Sequence, residues 1–434
     1  MDYKTATRWL FSLINYEKTI KKGPKSLLGF IQLLSYFDYP EEKLKEPIIV
    51  RGTKGKGSTS MMLSQMLINE HKSTGLFTSP HLFSVRERIK VNRDYISKAE
   101  FAHGISRIFH FTGNRTGIRT YFEVLTLLAI NHFINKKVEY PIFEAGLGGR
   151  LDTTRLIPAR LHLLTEIGYD HTGILGNTLD EITFEKTTGI DKGTVITLKQ
   201  HPKVDYTISQ IAQFRKLNVI CEGHDFEIKK TDFSYNGTHV CIDTTFAGKT
   251  EFFIPLQGRF LVKSATLACL SGIFMGMESC NLDGLKLPAR FQKIRDKPVV
   301  IIDGSHNPMS ILNLKRELTF YYGNFNGEKT LIFSMMKDKN IEDALRILET
   351  FFDKFVFTEA NVPRSEKKET LQQIFKTISS KPSILLNNDE IIDYIKQNTE
   401  FVVITGSFFL AGDVLQQLLK NNLYSDVDLY KLLE

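Results

Sequence analysis

The chain has 434 residues, more than one hydrophobic core usually serves, so we expect two domains. With 42% hydrophobic and 24% charged residues its composition is that of an ordinary globular protein, and no apolar run is long enough to cross a membrane. The net charge of +7 is mild and scattered, which suits an anionic small substrate, and the chain has no nucleic-acid-binding motif.

Two features of the sequence predict a cytoplasmic location. The first residues, MDYKTATRWLF, carry charges where a signal peptide needs an apolar core. The four cysteines lie far apart without a C-x-x-C motif, which argues against a disulfide framework or a zinc site and fits a reducing compartment. These residues are Cys221, Cys241, Cys269 and Cys280.

Apolar runs and helical patterns alternate through the first part of the chain. The runs PIIV, TGLFTS, YPIFEAG and LHLLTEIG each end in a polar or glycine-containing turn, and YFEVLTLLAINHFI has the pattern of a helix. This alternation predicts a parallel sheet with crossover helices. From about Phe226 to Ile254 the pattern becomes that of antiparallel strands, with Asn236-Gly237 as a hairpin turn, so we predict a small antiparallel insert there.

The last part of the chain repeats a strand-helix unit. The predicted strands are PVVIIDG, TLIFSM, KFVFTEA, PSILL and FVVITGS, and the predicted helices cover 309–321, 341–352, 367–378, 391–397 and a segment near Gly412. Such units predict a second doubly wound α/β domain. Pro288 in LKLPARF would stop a helix, and the strand-helix pattern restarts after it. We therefore predict domains at residues 1–286 and 287–434.

The segment IIVRGTKGKGSTSMML, residues 49–64, joins a predicted strand to a predicted helix through a glycine-rich turn. Glycines let backbone N–H groups converge on an anion, the helix N-terminus adds partial positive charge, and Lys56 adds a full charge. The spacing is not that of the usual phosphate-binding loop, because Gly52 lies only three residues before Gly55. A plain glycine turn is the alternative to the phosphate site that this context favours.

Further segments follow this loop in a fixed order: GLFTSPHLFSVRERI, YFEVLTLLA, FEAGLGGRLDTT, IGYDHTGILGNTLDEITFEKTTGI, LPARFQ, DGSHNP, SMMKDKN and TGSFFLAGDV. Together with GTKGKGST they resemble the folylpolyglutamate and dihydrofolate synthases, a family within the Mur ligase superfamily. The resemblance covers nearly the whole chain. It implies a Mur-ligase-like fold, with an N-terminal phosphate-binding-loop domain that carries the antiparallel insert and a C-terminal α/β ligase domain.

The resemblance implies an ATP-dependent ligase that joins L-glutamate to a carboxylate of a folate or of dihydropteroate. A carboxylate is a poor acyl donor, and phosphorylation by ATP makes it an acyl phosphate that an amine can attack. Such a transfer depends on positioned phosphates, metal ions and neutralised charge. The resemblance also implies a monomer, and we expect no nucleic-acid or membrane partner.

The resemblance implies that ATP contacts both domains. The loop would hold the phosphates through Gly52, Thr53, Gly55, Lys56, Gly57 and Ser58. The C-terminal domain would contribute Arg290, Asp303 and His306. ATP would then lie in the cleft between the domains, and closure would exclude water. By its residues alone, DGSHNP is also typical of a capped helix start with proline in the first turn.

For two magnesium ions the resemblance implies four ligands: Ser79, Glu144, His171 and Lys186. Lys186 would serve as a carbamate, which replaces a cation by a carboxylate-like oxygen donor, and oxygen donors suit magnesium. The implied catalytic residues are Lys56, Lys186 and His171. Judged alone, Ser79 is equally a turn residue, His171 is better explained by pairing with Asp170, and Lys186 is an ordinary surface lysine. Glu144 favours a metal or a salt bridge even alone, because a buried unpaired carboxylate is costly.

Phe122 and Asp152 match positions that contact the pterin in some relatives, although Phe122 is equally explained as a core residue of its helix. The chain also departs from the family at several sites. The segment GRFLVKSATLA places Phe260, Leu261 and Ser264 where His, Gln and an adenine-contacting Asn are usual. Because Ser264 stands where that Asn is usual, we expect weaker recognition of the adenine base. Lys54, Arg155 and Ala289 are further departures from the family pattern.

Two rival functions remain. A Mur-type ligase for a cell-wall precursor is opposed by the TSPHL and GGRLD segments. A nucleotide-binding protein that has lost catalysis is suggested by the altered adenine segment. The sequence favours folate ligation, with dihydropteroate ligation as a possible second activity.

Overall fold

The computed structural model of the protein describes residues 1–15, 26–113, 119–398 and 400–433. Its helices are α1 (Tyr3–Ser12), α2 (Leu28–Tyr36), α3 (Lys56–Asn69), α4 (Lys98–Thr112), α5 (Tyr121–Asn135), α6 (Thr172–Leu175), α7 (Leu179–Thr187), α8 (Pro202–Arg215), α9 (Leu261–Phe274), α10 (Pro308–Tyr322), α11 (Ile341–Glu349), α12 (Lys368–Lys376), α13 (Ile391–Asn398), α14 (Phe408–Lys420) and α15 (Val427–Tyr430).

The strands of the described residues form three sheets. They are β1 (Ile48–Arg51), β2 (Thr74–Phe77), β3 (Ile89–Val91), β4 (Asp94–Tyr95), β5 (Tyr140–Glu144), β6 (Leu161–Leu164), β7 (Thr194–Thr197), β8 (Asn218–Cys221), β9 (Phe226–Ser234), β10 (Gly237–Thr244), β11 (Gly248–Ile254), β12 (Gln292–Asp296), β13 (Val299–Ile302), β14 (Lys329–Phe333), β15 (Lys354–Phe357), β16 (Ser383–Leu385) and β17 (Phe401–Thr405).

The first sheet has eight strands in the order β4-β3-β2-β5-β1-β6-β7-β8. Strands β2, β5, β1, β6, β7 and β8 are parallel, which confirms the predicted parallel sheet, and β3 and β4 form an antiparallel edge. Strand β1 lies between β5 and β6, and all three are fully or almost fully buried, which fits their apolar sequences. The carboxyl ends of these strands therefore bring the glycine loop, the end of β5 and the loop after β6 to one edge.

Strands β9, β10 and β11 form the predicted antiparallel insert, in the order β11-β10-β9. The turn between β9 and β10 lies at Tyr235 and Asn236, and Gly237 follows at a φ of 148°. The insert precedes α9, whose buried face packs in the same core as α3 and β1. It therefore belongs to the first domain.

The third sheet lies in the C-terminal part of the chain and has six strands in the order β12-β13-β17-β14-β15-β16. Alternate residues of its central strands face opposite cores: Ile301 and Val403 pack on one side, and Val300 and Ile404 on the other. Helices on both faces confirm the predicted doubly wound domain. The antiparallel edge strand β12 was not predicted, because its sequence QKIRD is mostly polar and all of its residues but the last are half-buried.

The expectation that the cysteines remain unpaired is wrong for one pair. Cys269 and Cys280 form a disulfide with a Cα–Cα distance of 5.3 Å. The sequence did not indicate this pair, because the two cysteines are 11 residues apart and lie in different segments. They meet because α9 ends at Phe274 and the chain then turns back along the helix. Cys221 and Cys241 are free thiols.

The domain division at 286/287 remains a prediction. Residues before this point contact residues after it at several places. On one side, Gly412 of α14 lies so close to the first domain that a Cβ atom on it would stand 2.7 Å from the carbonyl oxygen of Leu82. Near this contact Lys286 pairs with Asp426 at 3.0 Å. Within the described residues no helix is long and apolar enough to cross a membrane.

Candidate active site

The glycine loop connects the buried strand β1 to the first turn of α3. Gly52 has a φ of 136° and Gly55 a φ of 87°, a region that favours glycine. A Cβ atom on Gly52 would also stand 2.0 Å from the hydroxyl oxygen of Thr165 on the neighbouring strand. Both glycines are therefore needed for the loop to keep its path around the N-terminus of α3.

The loop is fixed to the segment that follows β6. The N–H group of Thr53 donates to the carbonyl oxygen of Glu166 at 2.8 Å, and its hydroxyl bonds both backbone groups of Gly168 at 3.1 Å. The ammonium of Lys56 folds back over the loop and donates to the carbonyl oxygens of Gly52 and Thr53 at 3.2 and 3.4 Å. Lys56 thus lies on the concave side of the loop, while Lys54 is exposed.

Glu144 and Ser79 meet beside the first turn of α3. The Glu144 carboxylate accepts a 2.9 Å hydrogen bond from the N–H group of Ser79, since β5 and β2 are parallel neighbours that end together. Burial raises the pKa of Glu144, and Lys56, the Ser79 N–H and Arg290 oppose that shift. The same carboxylate oxygens would lie 3.3 and 3.4 Å from a Cβ atom on Gly57. Glu144 and Ser79 therefore border the glycine loop.

Lys186 is buried, with 3% of its surface exposed, so its interpretation as a surface lysine is wrong. Helix α7, which begins with a capping box of Thr178 and Glu181, directs the lysine towards the loop. Its ammonium donates to the carbonyl oxygen of Gly52 at 2.9 Å. Burial, followed by the nearby charge of Lys56, lowers the pKa of Lys186 to about 7. A substantial fraction of this amine is therefore neutral near pH 7.

His171 lies just before the short helix α6 with a φ of 48°, and about half of its side chain is exposed. Its Nε2 atom is 3.7 Å from the carboxylate of Asp170. Burial lowers the pKa of His171, and Asp170 opposes that shift while Lys186 adds to it. The imidazole is thus near the predicted lysine, and its loop leaves it accessible to a ligand in the cleft.

Arg290 reaches across the cleft from the second domain to the glycine loop. Its Nη2 atom would stand 2.7 Å from a Cβ atom on Gly57. Burial lowers the pKa of Arg290, and the charges of Glu144 and Asp303 oppose that shift. The arginine therefore joins the phosphate loop and Glu144 in one charged cluster, although the chain separates them widely.

Asp303 and His306 shape the loop before α10. Asp303 accepts hydrogen bonds from the N–H groups of Phe291 at 2.8 Å and Ser305 at 2.9 Å, and burial raises its pKa. The His306 Nδ1 atom lies 2.9 Å from the carbonyl oxygen of Gly304. Asn307 caps α10 with Pro308 in the first turn, so the capped-helix interpretation of this segment is confirmed.

Phe122 and Asp152, the two predicted pterin contacts, lie in different environments. The Phe122 ring lies under Gly146, where a Cβ atom would stand 2.8 Å from Cζ. The Asp152 carboxylate accepts from the N–H groups of Gly146, Leu147 and Thr154 at 2.9, 3.2 and 2.9 Å, and from the Thr154 hydroxyl at 2.6 Å. Asp152 therefore stabilises the conformation of the GLGGR turn. Both of its carboxylate oxygens already accept hydrogen bonds from nearby residues of the chain.

Arg51, at the end of β1, is a buried cation that the sequence analysis did not single out. It is fully buried, its Nη2 atom donates to the carbonyl oxygen of Gly189 at 3.4 Å, and burial lowers its pKa to about 10. A Cβ atom on Gly149 or Gly189 would approach Nη1 to 2.8 or 2.7 Å. The only signal in the sequence was a charge that ends an apolar strand, and such charges usually reach solvent.

A cavity of about 210 Å³ opens between α3, the β3–β4 hairpin and the second domain. Its wall combines apolar and charged groups, including Pro80, Leu82, Lys90, Arg290 and Phe408. Arg290 connects this cavity to the phosphate loop. The cavity therefore offers space for a small molecule beside the glycine loop.

The altered adenine segment also reaches the loop. Ser264, in the first turn of α9, would have its hydroxyl oxygen 3.0 Å from a Cβ atom on Gly55. Leu261 is buried in the core between α9 and the sheet, whereas Phe260 is 42% exposed just before the helix. Ser264 thus borders the glycine loop through its hydroxyl.

Two families match the chain by sequence. The "Mur ligase middle domain" matches residues 50–272. The "Mur ligase, glutamate ligase domain" matches residues 289–408.

Curated relatives match over nearly the whole chain. The dihydrofolate synthase/folylpolyglutamate synthase of Bacillus subtilis is 29% identical, and the match covers 96% of this chain and 99% of that protein. The dihydrofolate synthetase of Saccharomyces cerevisiae is 27% identical, and the match covers 89% of this chain and 96% of that protein.

Solved structures have the same fold. The Mycobacterium tuberculosis folylpolyglutamate synthase complexed with ADP and AMPPCP is 26% identical with a TM-score of 0.79, over 90% of this chain and 95% of that chain. The folylpolyglutamate synthase of Thermotoga maritima is 24% identical with a TM-score of 0.83, over 98% of both chains, a likeness of fold.

Proposed function

The chain belongs to the Mur ligase family, and from that premise we propose that it is an ATP-dependent ligase that joins L-glutamate to a folate. In this proposal it acts as a folylpolyglutamate synthase, with dihydrofolate synthase activity as a possible second function. The relatives named for these two activities support it over nearly the full chain. The single structural observation that supports it is the meeting of Arg290 with Glu144 beside Gly57, at the glycine loop that would hold the phosphates.

The reaction has two steps. The acceptor carboxylate attacks the ATP γ-phosphate, which releases ADP and forms an acyl phosphate. The amine of glutamate then attacks the acyl carbon, loses a proton and displaces phosphate. Lys56 and the loop N–H groups would hold the phosphates, and Arg290 would neutralise charge from the opposite side. Contact between the domains excludes water, which protects the acyl phosphate from hydrolysis.

The residues at this edge fit magnesium in part as they stand. Ser79 supplies a hydroxyl and Glu144 a carboxylate at the border of the phosphate loop, and such oxygen donors suit this ion. Magnesium would neutralise phosphate charge during transfer. A second ion near His171 fits only if Lys186 is not an ammonium, because a buried cation would repel it.

Lys186 is suited to become a carbamate. Carbamoylation joins a neutral amine to the carbon of CO₂ and releases one proton, and the amine must be unprotonated when it attacks. The lowered pKa of Lys186, about 7, supplies that neutral form. The product is an anion that would pair with magnesium and with the neighbouring charge of Lys56.

The 210 Å³ cavity supports a place for the acceptor. Its lining also contains carboxylates, those of Glu87, Asp426 and Asp428. In this proposal its cations, Lys90 and Arg290 among them, would pair with the carboxylates of a folate, and its apolar wall would pack on the aromatic part. Phe122 remains the proposed contact for the pterin of dihydropteroate, whereas Asp152 would act by holding the turn beneath it. The two acceptors would thus approach the phosphate loop from different sides.

The test measures ADP release from Mg·ATP by the purified protein. The proposal requires release that depends on both a folate and glutamate, together with an amide product in the mass spectrum. ATP binding without dependent turnover would favour a protein that has lost catalysis, the alternative suggested by Ser264. Turnover only with a cell-wall precursor would favour a Mur-type ligase. The monomeric state and cytoplasmic location remain predictions.

A further inference from the structure

We propose that Arg259 and Glu317 form a latch between the domains that positions the second domain for catalysis. The proposal rests on the ligase function above and adds two positioning residues, neither of which lies at the phosphate loop. Arg259 belongs to the segment that leads into α9 of the first domain, and Glu317 belongs to α10 of the second.

The pair is joined by a set of directed contacts. The Glu317 carboxylate accepts from the Arg259 backbone N–H at 2.8 Å and from its Nε atom at 3.1 Å. The guanidinium donates to the carbonyl oxygen of Arg316 at 3.3 Å and lies 4.4 Å from the centre of the Phe320 ring. Glu317 is buried, so these bonds are less screened than those of a surface pair.

Neighbouring residues add further bonds across the same boundary. The N–H group of Gly258 donates to the Tyr321 hydroxyl at 3.2 Å, and the Tyr322 hydroxyl donates to the Gln257 side chain at 2.7 Å. Glu317 and Tyr321 are one helical turn apart, so one face of α10 receives three consecutive residues of the first domain. Such a row of bonds fixes rotation as well as distance between the domains.

A helix connects each of the two latch residues to the candidate active site. On one side, α9 begins two residues after Arg259, and Ser264 in its first turn borders Gly55 of the phosphate loop. On the other side, α10 runs back from Glu317 to its cap at Asn307, beside His306. Over this length α10 spans about 14 Å at about 1.5 Å per residue, so a small rotation at Glu317 is carried as a rigid-body shift to His306.

The Arg259–Glu317 latch is therefore required for catalysis more than for folding. Arg290 must stay near Gly57 and Glu144 while the acyl phosphate exists, and a misplacement of about 1 Å can cost about 100-fold in rate. Loss of the latch leaves each domain core intact, because neither Arg259 nor Glu317 is part of the apolar clusters. Arg259→Ala alone leaves the buried Glu317 carboxylate without its cation and should lower stability, whereas the double variant with Glu317→Gln leaves no buried charge. We therefore expect slower chemistry with nearly unchanged stability in the double variant.

The experiment compares Arg259→Ala, Glu317→Gln and the double variant with the wild-type protein. As a control, Arg346→Ala removes an exposed ion pair with Glu342 on α11, far along the chain from the latch. Measurements are kcat and KM for ATP and acceptor, the unfolding midpoint, and the radius of gyration by small-angle scattering with AMPPCP. The conservative variant Arg259→Lys keeps the charge and tests for rescue.

We expect kcat to fall about 10- to 100-fold in each single variant, with KM for ATP changed less than about threefold. The double variant should lose no more than the worse single one, since the pair acts as a unit. Arg259→Lys should recover part of the loss, and the radius of gyration should rise in Arg259→Ala. A wild-type kcat in Arg259→Ala, or a wild-type kcat in the double variant, which leaves no buried charge unpaired, would overturn the latch. If the wild type itself performs no ligation, the proposed function fails, and the scattering result alone decides the latch.

Discussion

The ammonium nitrogen of Lys186 lies 2.9 Å from the carbonyl oxygen of Gly52, to which it donates a hydrogen bond. This bond joins α7 to the residue that begins the phosphate loop. Lys56 approaches the same carbonyl oxygen at 3.2 Å, so two lysines share one acceptor. Their mutual repulsion is one cause of the lowered pKa of Lys186, and an anionic carbamate at this position would remove it.

Lys186→Ala should be folded and inactive, and a small carboxylate such as acetate should restore part of the activity. The reason is that the predicted carbamate supplies carboxylate-like oxygens, which acetate can replace in the space left by the side chain. The measurement is turnover against acetate concentration, with Lys192→Ala, an exposed lysine nearby, as the control. An electron-density map of the Mg·ATP form with a bare ammonium at Lys186 would contradict the carbamate.

The stability of the wild-type protein should rise with pH between about 7 and 10, relative to Lys186→Met. The pKa of Lys186 is lowered from 10.5 to about 7 in the folded protein, so in this window the unfolded chain holds a proton that the folded one lacks. Unfolding then takes up a proton, and its free energy rises by up to about 1.4 kcal/mol per pH unit. This contribution is lost as the pH falls through the folded pKa.

The measurement is denaturant unfolding of both proteins in CO₂-free buffer, which keeps the amine unmodified. The difference between the two unfolding free energies isolates Lys186 from the other titrating groups. A difference that stays constant from pH 7 to 10 would mean that the buried lysine keeps its ordinary pKa.

Lys56→Ala should lose at least about two to three orders of magnitude in turnover, because it removes a charge that neutralises the transferred phosphate. Lys54→Ala is the matched control, since Lys54 lies two residues away in the same loop but is exposed. Steady-state kinetics of both variants would check this. Near-normal ligation by Lys56→Ala would remove the loop lysine from the mechanism.

Much of the architecture was predictable, because its strands are continuous apolar runs that end in glycine-rich turns. Strand β12 was missed since an edge strand of polar residues has no apolar pattern. At the site, Ser79 and Glu144 each follow a predicted parallel strand, and the two meet because parallel strands end at one edge of the sheet. The burial of Lys186 was not predictable from a helix with charged neighbours, and neither was the Asp152 carboxylate being occupied by its own turn. These features depend on contacts between distant segments.

GTP should support the reaction within roughly tenfold to a hundredfold of ATP, a gap of about 1.4 to 2.8 kcal/mol. Ser264 stands where an amide would read the base, and a site without that group discriminates weakly. Its position beside Gly55 keeps it near the nucleotide. The check is kcat/KM for both nucleotides in the wild type and in Ser264→Asn, which should discriminate more strongly. Strict use of ATP by the wild type would show that another residue reads the base.

The enzyme should add glutamate to tetrahydrofolate, with dihydropteroate as a possible second acceptor. Folate is longer by one glutamyl unit, so its carboxylate needs a cation further from the loop. Arg155, which departs from the family pattern, is a second candidate besides the cations of the cavity. Its Nε atom lies 3.7 Å from the Asp191 carboxylate, a pairing that a folate carboxylate would have to displace. Mass spectrometry of reactions with either acceptor would check this, with Arg155→Ala as the variant. Product from dihydropteroate alone would refute the prediction.

The absence of a side chain at Gly412 limits how this sequence can change over evolution. A methyl group there would meet the backbone of Leu82, which cannot rotate away as the end of a side chain can. Leu82 follows Ser79 by three residues in the loop that borders Glu144. A mutation at residue 412 would therefore disturb the loop that borders Glu144 without touching any substrate, and it would persist in a lineage only together with a compensating change in that loop.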